Sequence, residues 1–258
     1  MPEGDTIRYA VNRIRPVLEG RIPDAIETPQ LRHAFDNWPA RLAGRAVRAV
    51  DAHGKHLFLR FDGELVLHSH LGMSGAWAVY RRGERWRRSP KHAWLVLRCD
   101  GHEVVQFGGP TLELMSEFRA RTDRRLAGLG PDILAERFDA DAAIGRLRAG
   151  DAGRLLGDAL LEQRTLAGIG NIWKSESCFA AAVDPWRATG ECGDGELREI
   201  LRFAREQMSV SAREGFSARP HAVYRRAGEP CRRCTDHVRS RGQGDQNRTT
   251  YWCPGCQR

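Results

Sequence analysis

The sequence contains no run of about 18 or more uncharged apolar residues, which argues against a membrane-spanning helix. Its first residues, MPEGDTIRYAVNRIRP, include acidic groups and lack the apolar core and small-residue cleavage site of a secretory signal. Lysine is also scarce, so the positive charge is carried almost entirely by arginine. These absences predict a cytoplasmic protein that does not associate with membranes.

The charge balance indicates a polyanion as partner but does not identify it. Lysine and arginine together number 41 against 33 aspartates and glutamates, which gives a formal net charge of +8 and a pI near 9.5. The arginines are spread along the chain, so we expect the charge on folded surface rather than in one tail. Nucleic acid suits such a surface, although a basic enzyme with another substrate can have the same composition.

Four of the seven cysteines form two CxxC pairs separated by eighteen residues. Two tight turns with this spacing supply the thiolates of a tetrahedral zinc site, and a site closed by four thiolates is structural. We therefore predict one structural Zn²⁺ and reduced thiols rather than a disulfide framework. The predicted ligands are Cys231, Cys234, Cys253 and Cys256. The hairpin between the pairs carries Arg239, Arg241 and Arg248, so the metal would make a basic tip rigid.

Hydrophobic periodicity divides the rest of the chain into a β-rich part and a helical part. Residues 5–19 have helical spacing, and residues 22–110 contain short β-rich runs between Gly, Asp and Pro, which is typical of a β-sandwich. The pattern is helical again in residues 140–149, 152–163, 171–182 and 194–213. The fold class predicted from these patterns is α+β, with a leading helix, a sandwich and a helical second part.

One loop within the β-rich part is dense in arginine. Residues 81–91 read RRGERWRRSPK, which we interpret as a hairpin loop. It either contacts DNA or is only a solvated turn.

A glycine-rich turn precedes the helix that begins near Asn171. Gly168 and Gly170 allow close approach of another chain, and the helix offers unpaired N–H groups with the positive end of its dipole. The turn therefore suits a phosphate, although glycines that only pack two helices together give the same pattern.

The N-terminus could act as a nucleophile, because Pro2 becomes a secondary amine when Met1 is removed. Such an amine has a pKa of about 8 and can attack a sugar C1′ to form an iminium ion. Glu3 could then manage the protons. By itself, Pro-Glu after the initiator methionine does not indicate catalysis.

Several motifs, taken in order, resemble the family of formamidopyrimidine-DNA glycosylase and endonuclease VIII over essentially the full length. These motifs are PEG at 2–4, GKHLFLRF at 54–61, HSHLGMSGAW at 68–77, LAGIGNIWKSES at 166–177, VYRRAGEPCRRC at 223–234 and YWCPGCQR at 251–258. The PEG start and the YWCPGCQ ending are most similar to bacterial endonuclease VIII, whereas HLGMSG is closer to the other branch.

The resemblance implies three regions and a set of catalytic residues. The regions are a catalytic β-sandwich domain at 1–130, a DNA-binding helix–two-turn–helix domain at 131–218 and a zinc finger at 219–258. Pro2 matches the Schiff-base nucleophile and Glu3 the acid and base. Lys55 matches a lysine that contacts the lesion phosphate and assists catalysis, although it could also be an ordinary strand lysine.

Four further residues match groups that contact or position DNA. Asn171 matches a phosphate-binding asparagine, and Arg248 matches the zinc-finger arginine that grips the flanking phosphates. Met73 matches a residue that fills the gap left by an everted base, and Glu176 matches a supporting carboxylate. Without the resemblance, Arg248 would be a solvated fingertip, Met73 core filler and Glu176 a surface helix acid.

The sequence departs from the family pattern at two places. Position 6 is Thr6 where the family has a second N-terminal glutamate. Residues 106–114 read QFGGPTLEL where the formamidopyrimidine branch has Asp-Pro-Arg-Arg-Phe-Gly, so the arginine and aromatic groups that fill the duplex are not visible.

The resemblance implies a monomeric bifunctional DNA glycosylase and abasic-site lyase of base excision repair. It would remove oxidised bases, with pyrimidines favoured, and cleave by β,δ-elimination through a Pro2 Schiff base. Its partner would be damaged DNA, double-stranded and also single-stranded or in bubbles. Two alternatives are an 8-oxoguanine/formamidopyrimidine glycosylase and a non-catalytic zinc protein that binds damaged DNA.

Overall fold

The computed structural model describes residues 2–30, 33, 35–215 and 220–258. They divide into two compact units, of which the first contains Pro2 with Thr6–Ala127 and the second contains Glu3–Asp5 with Gly128–Arg258. Of the predicted boundaries, the one after residue 218 falls within residues 216–219, outside the described residues. The division into three regions therefore stays a prediction.

Helix α1, Gly4–Leu18, is the predicted leading helix. Its apolar stripe is fully buried, since Ile7, Val11, Ile14 and Leu18 have no exposed surface. The chain leaves the helix through Gly20, whose φ of 78° is a left-handed conformation that favours glycine. From Thr6 onwards the helix belongs to the first unit, so its stripe helps to build the core of that unit.

Eight strands of the first unit form two antiparallel sheets of four strands each. The strands are β1 (Ala25–Glu27), β2 (Val47–His53), β3 (His56–Phe61), β4 (Leu65–His70), β5 (Ala76–Arg81), β6 (Ala93–Cys99), β7 (His102–Phe107) and β8 (Thr111–Ser116). One sheet has the order β2-β3-β4-β8 and the other the order β1-β6-β7-β5. Three short helices accompany them: α2 (Trp38–Leu42), α3 (Glu117–Thr122) and α4 (Arg124–Ala127).

The two sheets share one core with α1, which confirms the predicted β-sandwich. Leu57, Leu59 and Phe61 alternate along β3 and are fully buried, as are Leu95 and Leu97 of β6. Side chains two apart on a strand point to the same face, so each sheet presents one apolar face to the interior. This burial is the main contribution to the stability of the first unit.

The arginine-rich segment 81–91 is not a hairpin loop, and that part of the prediction is wrong. Strands β5 and β6 both pair with β7, one on each side, so the segment crosses from one neighbour of β7 to the other. Trp86 anchors it by packing against Tyr80 and Phe107, with ring centroids 6.2 and 5.7 Å away. Its indole N–H also donates to Glu103 at 2.9 Å. The segment is therefore folded against the sheet.

Besides the start of α1, the described residues of the second unit form the α-helices α5 (Ala140–Arg148), α6 (Leu156–Ala159), α7 (Asn171–Ala180) and α8 (Asp194–Glu214). Three match their predictions closely, but the helix predicted at 152–163 is reduced to the four residues of α6. The reason is a tertiary contact that fixes the preceding residues in an extended pairing. The N–H of Thr189 donates to the carbonyl of Arg154 at 2.8 Å, and the N–H of Leu156 donates to that of Arg187 at 2.9 Å.

The core of the second unit lies between α8 and its neighbours. The predicted apolar face of α8 is buried in full: Leu197, Ile200, Leu201, Ala204 and Met208. The unit ends in an antiparallel hairpin of β9 (Arg239–Gln243) and β10 (Arg248–Trp252). In the ranges given above, no helix is both long enough and apolar enough to cross a bilayer.

Candidate functional site

Glu3 is the first residue of the candidate site, and its side chain is completely buried. The carboxylate accepts N–H groups from Gly170 at 2.9 Å, Ile172 at 2.8 Å and Trp173 at 3.3 Å. It therefore lies on the N-terminus of α7, where unpaired N–H groups and the helix dipole favour a negative charge. These are amides that we considered suitable for a phosphate, and the protein's own carboxylate uses them.

The glycines of the turn are needed to admit the N-terminal segment. A Cβ atom on Gly170 would overlap the Glu3 carboxyl group. The N–H of Gly4 donates to the carbonyl of Gly168 at 2.9 Å, and a Cβ on Gly4 would lie 2.9 Å from the Cα of Gly168. Gly168 also has a φ of 108°, in the region that favours glycine. The turn thus packs the start of the chain against α7, which is the structural alternative rather than an open anion site.

Asn171 and Arg248 lie where α7 meets the terminal hairpin. The Asn171 side chain is 8% exposed, and its amide donates to the carbonyl of Thr249 at 2.7 Å. Arg248 is the neighbour of Thr249 and begins β10, with its guanidinium on Gln246 at 3.0 Å. The contact therefore links Asn171 directly to the strand that carries Arg248.

Lys174 is a buried charge that sequence reasoning missed. It has no exposed surface, and its ammonium donates to the Thr250 hydroxyl at 2.6 Å, which in turn donates to Gln243 at 2.6 Å. Burial lowers the pKa of Lys174 to about 8. Its position within the buried run NIWKSES was the available signal, because lysine is rarely buried without a partner. Like Asn171, it ties α7 to β10.

Glu176 is buried and is not a surface helix acid. Its carboxylate accepts the backbone N–H groups of Ala222, Val223 and Tyr224 at 2.8 to 2.9 Å. These residues lead into the segment that carries the first CxxC pair. Glu176 therefore fixes the approach to the cysteine cluster.

The four predicted zinc ligands converge on one point. Their sulfur atoms all lie within 4.8 Å of one another, and the Cys231–Cys256 and Cys234–Cys253 pairs are separated by 3.7 and 3.6 Å. Four thiolates at about 2.3 Å from a zinc ion in a tetrahedron would be separated by about 3.8 Å. The cluster therefore fits the geometry of a four-thiolate metal site.

Lys55 lies in the turn between β2 and β3, in the first unit, next in sequence to His56, which is one of three neighbouring buried or half-buried histidines. His56 and His68 share a hydrogen bond of 2.8 Å between ring nitrogens, and His70 lies opposite His56 in the sheet. Burial lowers the pKa of His56 to about 3 and that of His68 to about 4. Burial, followed by the Lys55 charge, also lowers the pKa of His70. At neutral pH these three imidazoles are therefore uncharged.

Met73 and Phe107 differ sharply in exposure. Met73 lies between β4 and β5 with 74% of its surface exposed, so it is not core filler. Phe107, the aromatic residue of the QFGG segment, has no exposed surface. Gly108 and Gly109 follow with φ of 55° and 104° and turn the chain into β8. The segment thus presents no aromatic group of its own.

Two family models match the chain. The model of the formamidopyrimidine-DNA glycosylase N-terminal domain matches residues 1–111, and that of the formamidopyrimidine-DNA glycosylase H2TH domain matches residues 129–219.

Curated relatives match over the full length of this chain. A probable endonuclease 8 2 from Streptomyces coelicolor is 39% identical, with 100% of this chain and 94% of that protein covered. The DNA-(apurinic or apyrimidinic site) lyase Nei2 of Mycolicibacterium smegmatis is 34% identical, covering 100% and 99%. A formamidopyrimidine-DNA glycosylase from Methylococcus capsulatus is 32% identical, covering 100% of both.

Solved structures share the fold. Lactococcus lactis formamidopyrimidine-DNA glycosylase bound to DNA containing an abasic site has a TM-score of 0.83 and 22% identity, with 100% of both chains covered. The same enzyme with DNA containing an oxidised pyrimidine gives the same values.

The packing of the Glu3 carboxylate against Gly170 leads to a testable prediction about stability. We expect Gly170→Ala to lower the free energy of unfolding by about 2–4 kcal/mol, because the new methyl group displaces a carboxylate that accepts three buried N–H groups. The matched control is Gly145→Ala within α5, where a Cβ meets nothing within 4 Å. It should be neutral or more stable by up to about 1 kcal/mol. Denaturant unfolding measures the free energy of unfolding of both variants. Equal stability would contradict the close packing of the Glu3 carboxylate against Gly170.

Proposed function

The chain belongs to the family of formamidopyrimidine-DNA glycosylases and endonucleases 8, and we propose that it acts through the N-terminal amine of Pro2. The protein is a DNA glycosylase and abasic-site lyase of base excision repair. Its partner is DNA, and we propose that it acts on damaged bases as a monomer. A cytoplasmic location would keep the four clustered thiols reduced.

The contact between Glu3 and α7 is the observation that carries this proposal. Pro2 is covalently next to a side chain held by three N–H groups, and Gly4 on the other side is held by Gly168. A nucleophile must be held close to its target geometry, and here the backbone on the C-terminal side of the amine is fixed. Met1, whose removal creates the amine, lies outside the described residues.

The proposed reaction needs no redox or nucleotide cofactor. The Pro2 nitrogen bonds to C1′ while the bond to the damaged base breaks, and the base leaves with the electron pair. Glu3 assists opening of the sugar ring, and the resulting iminium ion acidifies the C2′ proton. Loss of that proton breaks the bond to the 3′ phosphate, and a second elimination breaks the bond to the 5′ phosphate. Lys55 would contact the lesion phosphate.

Four residues are proposed to hold DNA directly or indirectly. Arg248 on the hairpin would grip the phosphates beside the lesion. Asn171 would hold a phosphate through its side-chain amide, since Glu3 occupies the backbone N–H groups at the start of α7. The 74% exposure of Met73 suits a side chain that fills the vacated base stack. Glu176 would not contact DNA itself but would position the zinc finger, because it accepts backbone N–H groups just before the cysteines.

We expect borohydride to trap the protein on abasic DNA, since reduction of the iminium ion makes the link permanent. Pro2→Gly should retain some trapping through its primary amine, whereas a form that keeps Met1 ahead of Pro2 should lose it. Gel analysis of the covalent complex measures the result, and intact mass identifies the N-terminus. Undiminished trapping by the blocked form would disprove the assignment of Pro2 and point to a lysine.

One structural zinc ion is proposed for the cysteine cluster. Cys253→Ser should lower the zinc content and weaken DNA binding, because the ligand set is incomplete, while the sandwich stays folded around its own core. The matched control is Cys99→Ser, a buried cysteine of β6 far from the cluster in sequence, which should keep its zinc. Elemental analysis of the purified proteins tests this. Full zinc content in Cys253→Ser would refute the four-thiolate site.

We propose that oxidised pyrimidines are preferred to 8-oxoguanine opposite cytosine. The burial of Phe107 and the glycine turn after it leave that segment without groups to fill the duplex or to read the opposite base. Everting a base from an intact duplex should then be costly, so lesions in single strands or bubbles should be comparatively good substrates.

Single-turnover excision of 5,6-dihydrouracil and of 8-oxoguanine opposite cytosine, in duplex and single-stranded oligonucleotides, tests this preference. We expect faster release of dihydrouracil and only weak dependence on the opposite base. Fastest excision of 8-oxoguanine from the duplex, with strong dependence on cytosine, would instead place the substrate choice with the formamidopyrimidine branch.

A further inference from the structure

The segment 81–91, which we call the arginine loop, concentrates positive charge that the proposed reaction does not use. It contains five arginines and Lys91, with Glu84 as its single acid, and all of these side chains are exposed. Other arginines of the first unit, such as Arg60 and Arg98, each pair with two carboxylates. Among the residues that the structure describes, none of the arginine-loop cations forms an ion pair. Such a group is suited to an anionic ligand.

A cavity of about 270 Å³ lies beside this loop, between α1 and β5. Its lining includes two cations, Arg13 and Arg87, and three aromatic residues, Tyr9, Trp77 and Tyr80. Strand β5 is the edge of its sheet, so one side of its backbone in the cavity has no strand partner. Pockets for drug-sized ligands occupy about 300–1,000 Å³, so this one suits a ligand no larger than a single nucleotide.

The cavity walls are held in place by contacts of the loop and helix. The backbone N–H of Arg87 donates to the hydroxyl of Tyr80 at 3.2 Å, next to the half-buried Trp86. The guanidinium of Arg13 lies 5.8 Å from the centre of the Tyr9 ring. Glu84 also lines the cavity, and its carboxylate accepts the N–H of Arg81 at 3.0 Å. The site therefore combines flat aromatic surfaces, cations and an acceptor.

We propose that this cavity binds one unpaired nucleotide of single-stranded DNA near the lesion, with its base against Tyr9 and Trp77 and its phosphate on Arg13 and Arg87. Stacking on aromatic rings with a cationic track for the backbone is how proteins hold single strands without reading sequence. A duplex offers only its phosphates to such a cavity, because its bases are already stacked. This inference rests on the proposed function, since it requires the DNA to be present.

The helix sets the distance of the cavity from the start of the chain. Tyr9 and Arg13 lie five and nine residues after Gly4, which at 1.5 Å per residue is about 8–14 Å along α1. Stacked nucleotides advance about 3.4 Å each, so for a strand that follows α1 this distance corresponds to about two to four nucleotides. The site would therefore favour lesions that are flanked by unpaired DNA.

The test uses the full-length protein and oligonucleotides that carry a tetrahydrofuran abasic analogue and 2-aminopurine two, three or four positions away on either side. We expect quenching of the aminopurine on one side in single strands. Tyr9→Leu should reduce this quenching and weaken single-strand affinity about 5- to 150-fold, the range found for loss of one stacked base. Arg87→Gln should also reduce the quenching and weaken single-strand affinity, because it removes a phosphate contact. Arg48→Gln, which changes an exposed arginine of β2 in the same unit, is the matched control.

The controls separate this proposal from the enzymatic one. Both variants should excise dihydrouracil from a duplex at the parent rate, and thermal unfolding reports whether Tyr9→Leu is folded, while Arg87→Gln changes only an exposed loop side chain. Parent-like single-strand quenching in both variants would overturn the nucleotide site while leaving the glycosylase intact. Equal weakening of duplex and single-strand binding would also overturn it. A parent protein without excision activity would instead refute the proposed function.

Discussion

The contact between the Glu3 carboxylate and the first N–H groups of α7 is the interaction on which the candidate site depends. A buried helix N-terminus needs acceptors for its free N–H groups, and a buried carboxylate needs donors, so each removes the cost of burying the other. Because Glu3 adjoins Pro2, the same contact fixes the start of the chain. Gly4 and Gly168 approach each other so closely that no space is left for side chains. This explains the glycines in the PEG start and in the glycine-rich turn.

Helix α7 also determines where the segment that carries the cysteine cluster, residues 220–258, lies. Nine of its ten residues are buried, and its polar side chains are directed at separate parts of that segment. Asn171 holds Thr249, Lys174 holds Thr250, and Glu176 holds the backbone at 222–224. Burying a lysine and a carboxylate without partners would be strongly unfavourable, so these contacts specify one arrangement of hairpin and helix. The position of the hairpin on α7 therefore does not depend on the cysteine cluster alone.

Features that depend on local spacing were predictable from the sequence. The stripe of α1, the apolar face of α8 and the convergence of the CxxC pairs all follow from residues close together in the chain. Features set by distant partners were not. The helix expected at 152–163 is shortened because residues 154–156 pair with residues 187–189. Segment 81–91 is a crossover because both flanking strands pair with β7. Lys174 and the occupant of the glycine turn were missed for the same reason, since Thr250 and Glu3 lie 76 and more than 160 residues away.

The distance in sequence between Glu3 and its partners has a consequence for biosynthesis. Glu3 and Gly170 are separated by 167 residues, so during translation the N-terminus emerges long before α7 exists. At about 5–20 residues per second, the interval is about 10–30 s. During this interval Glu3 has no helix N-terminus to bind, so the first residues remain accessible to the peptidase that would remove Met1. The order of synthesis thus leaves time for the proposed removal of Met1 before Glu3 is buried.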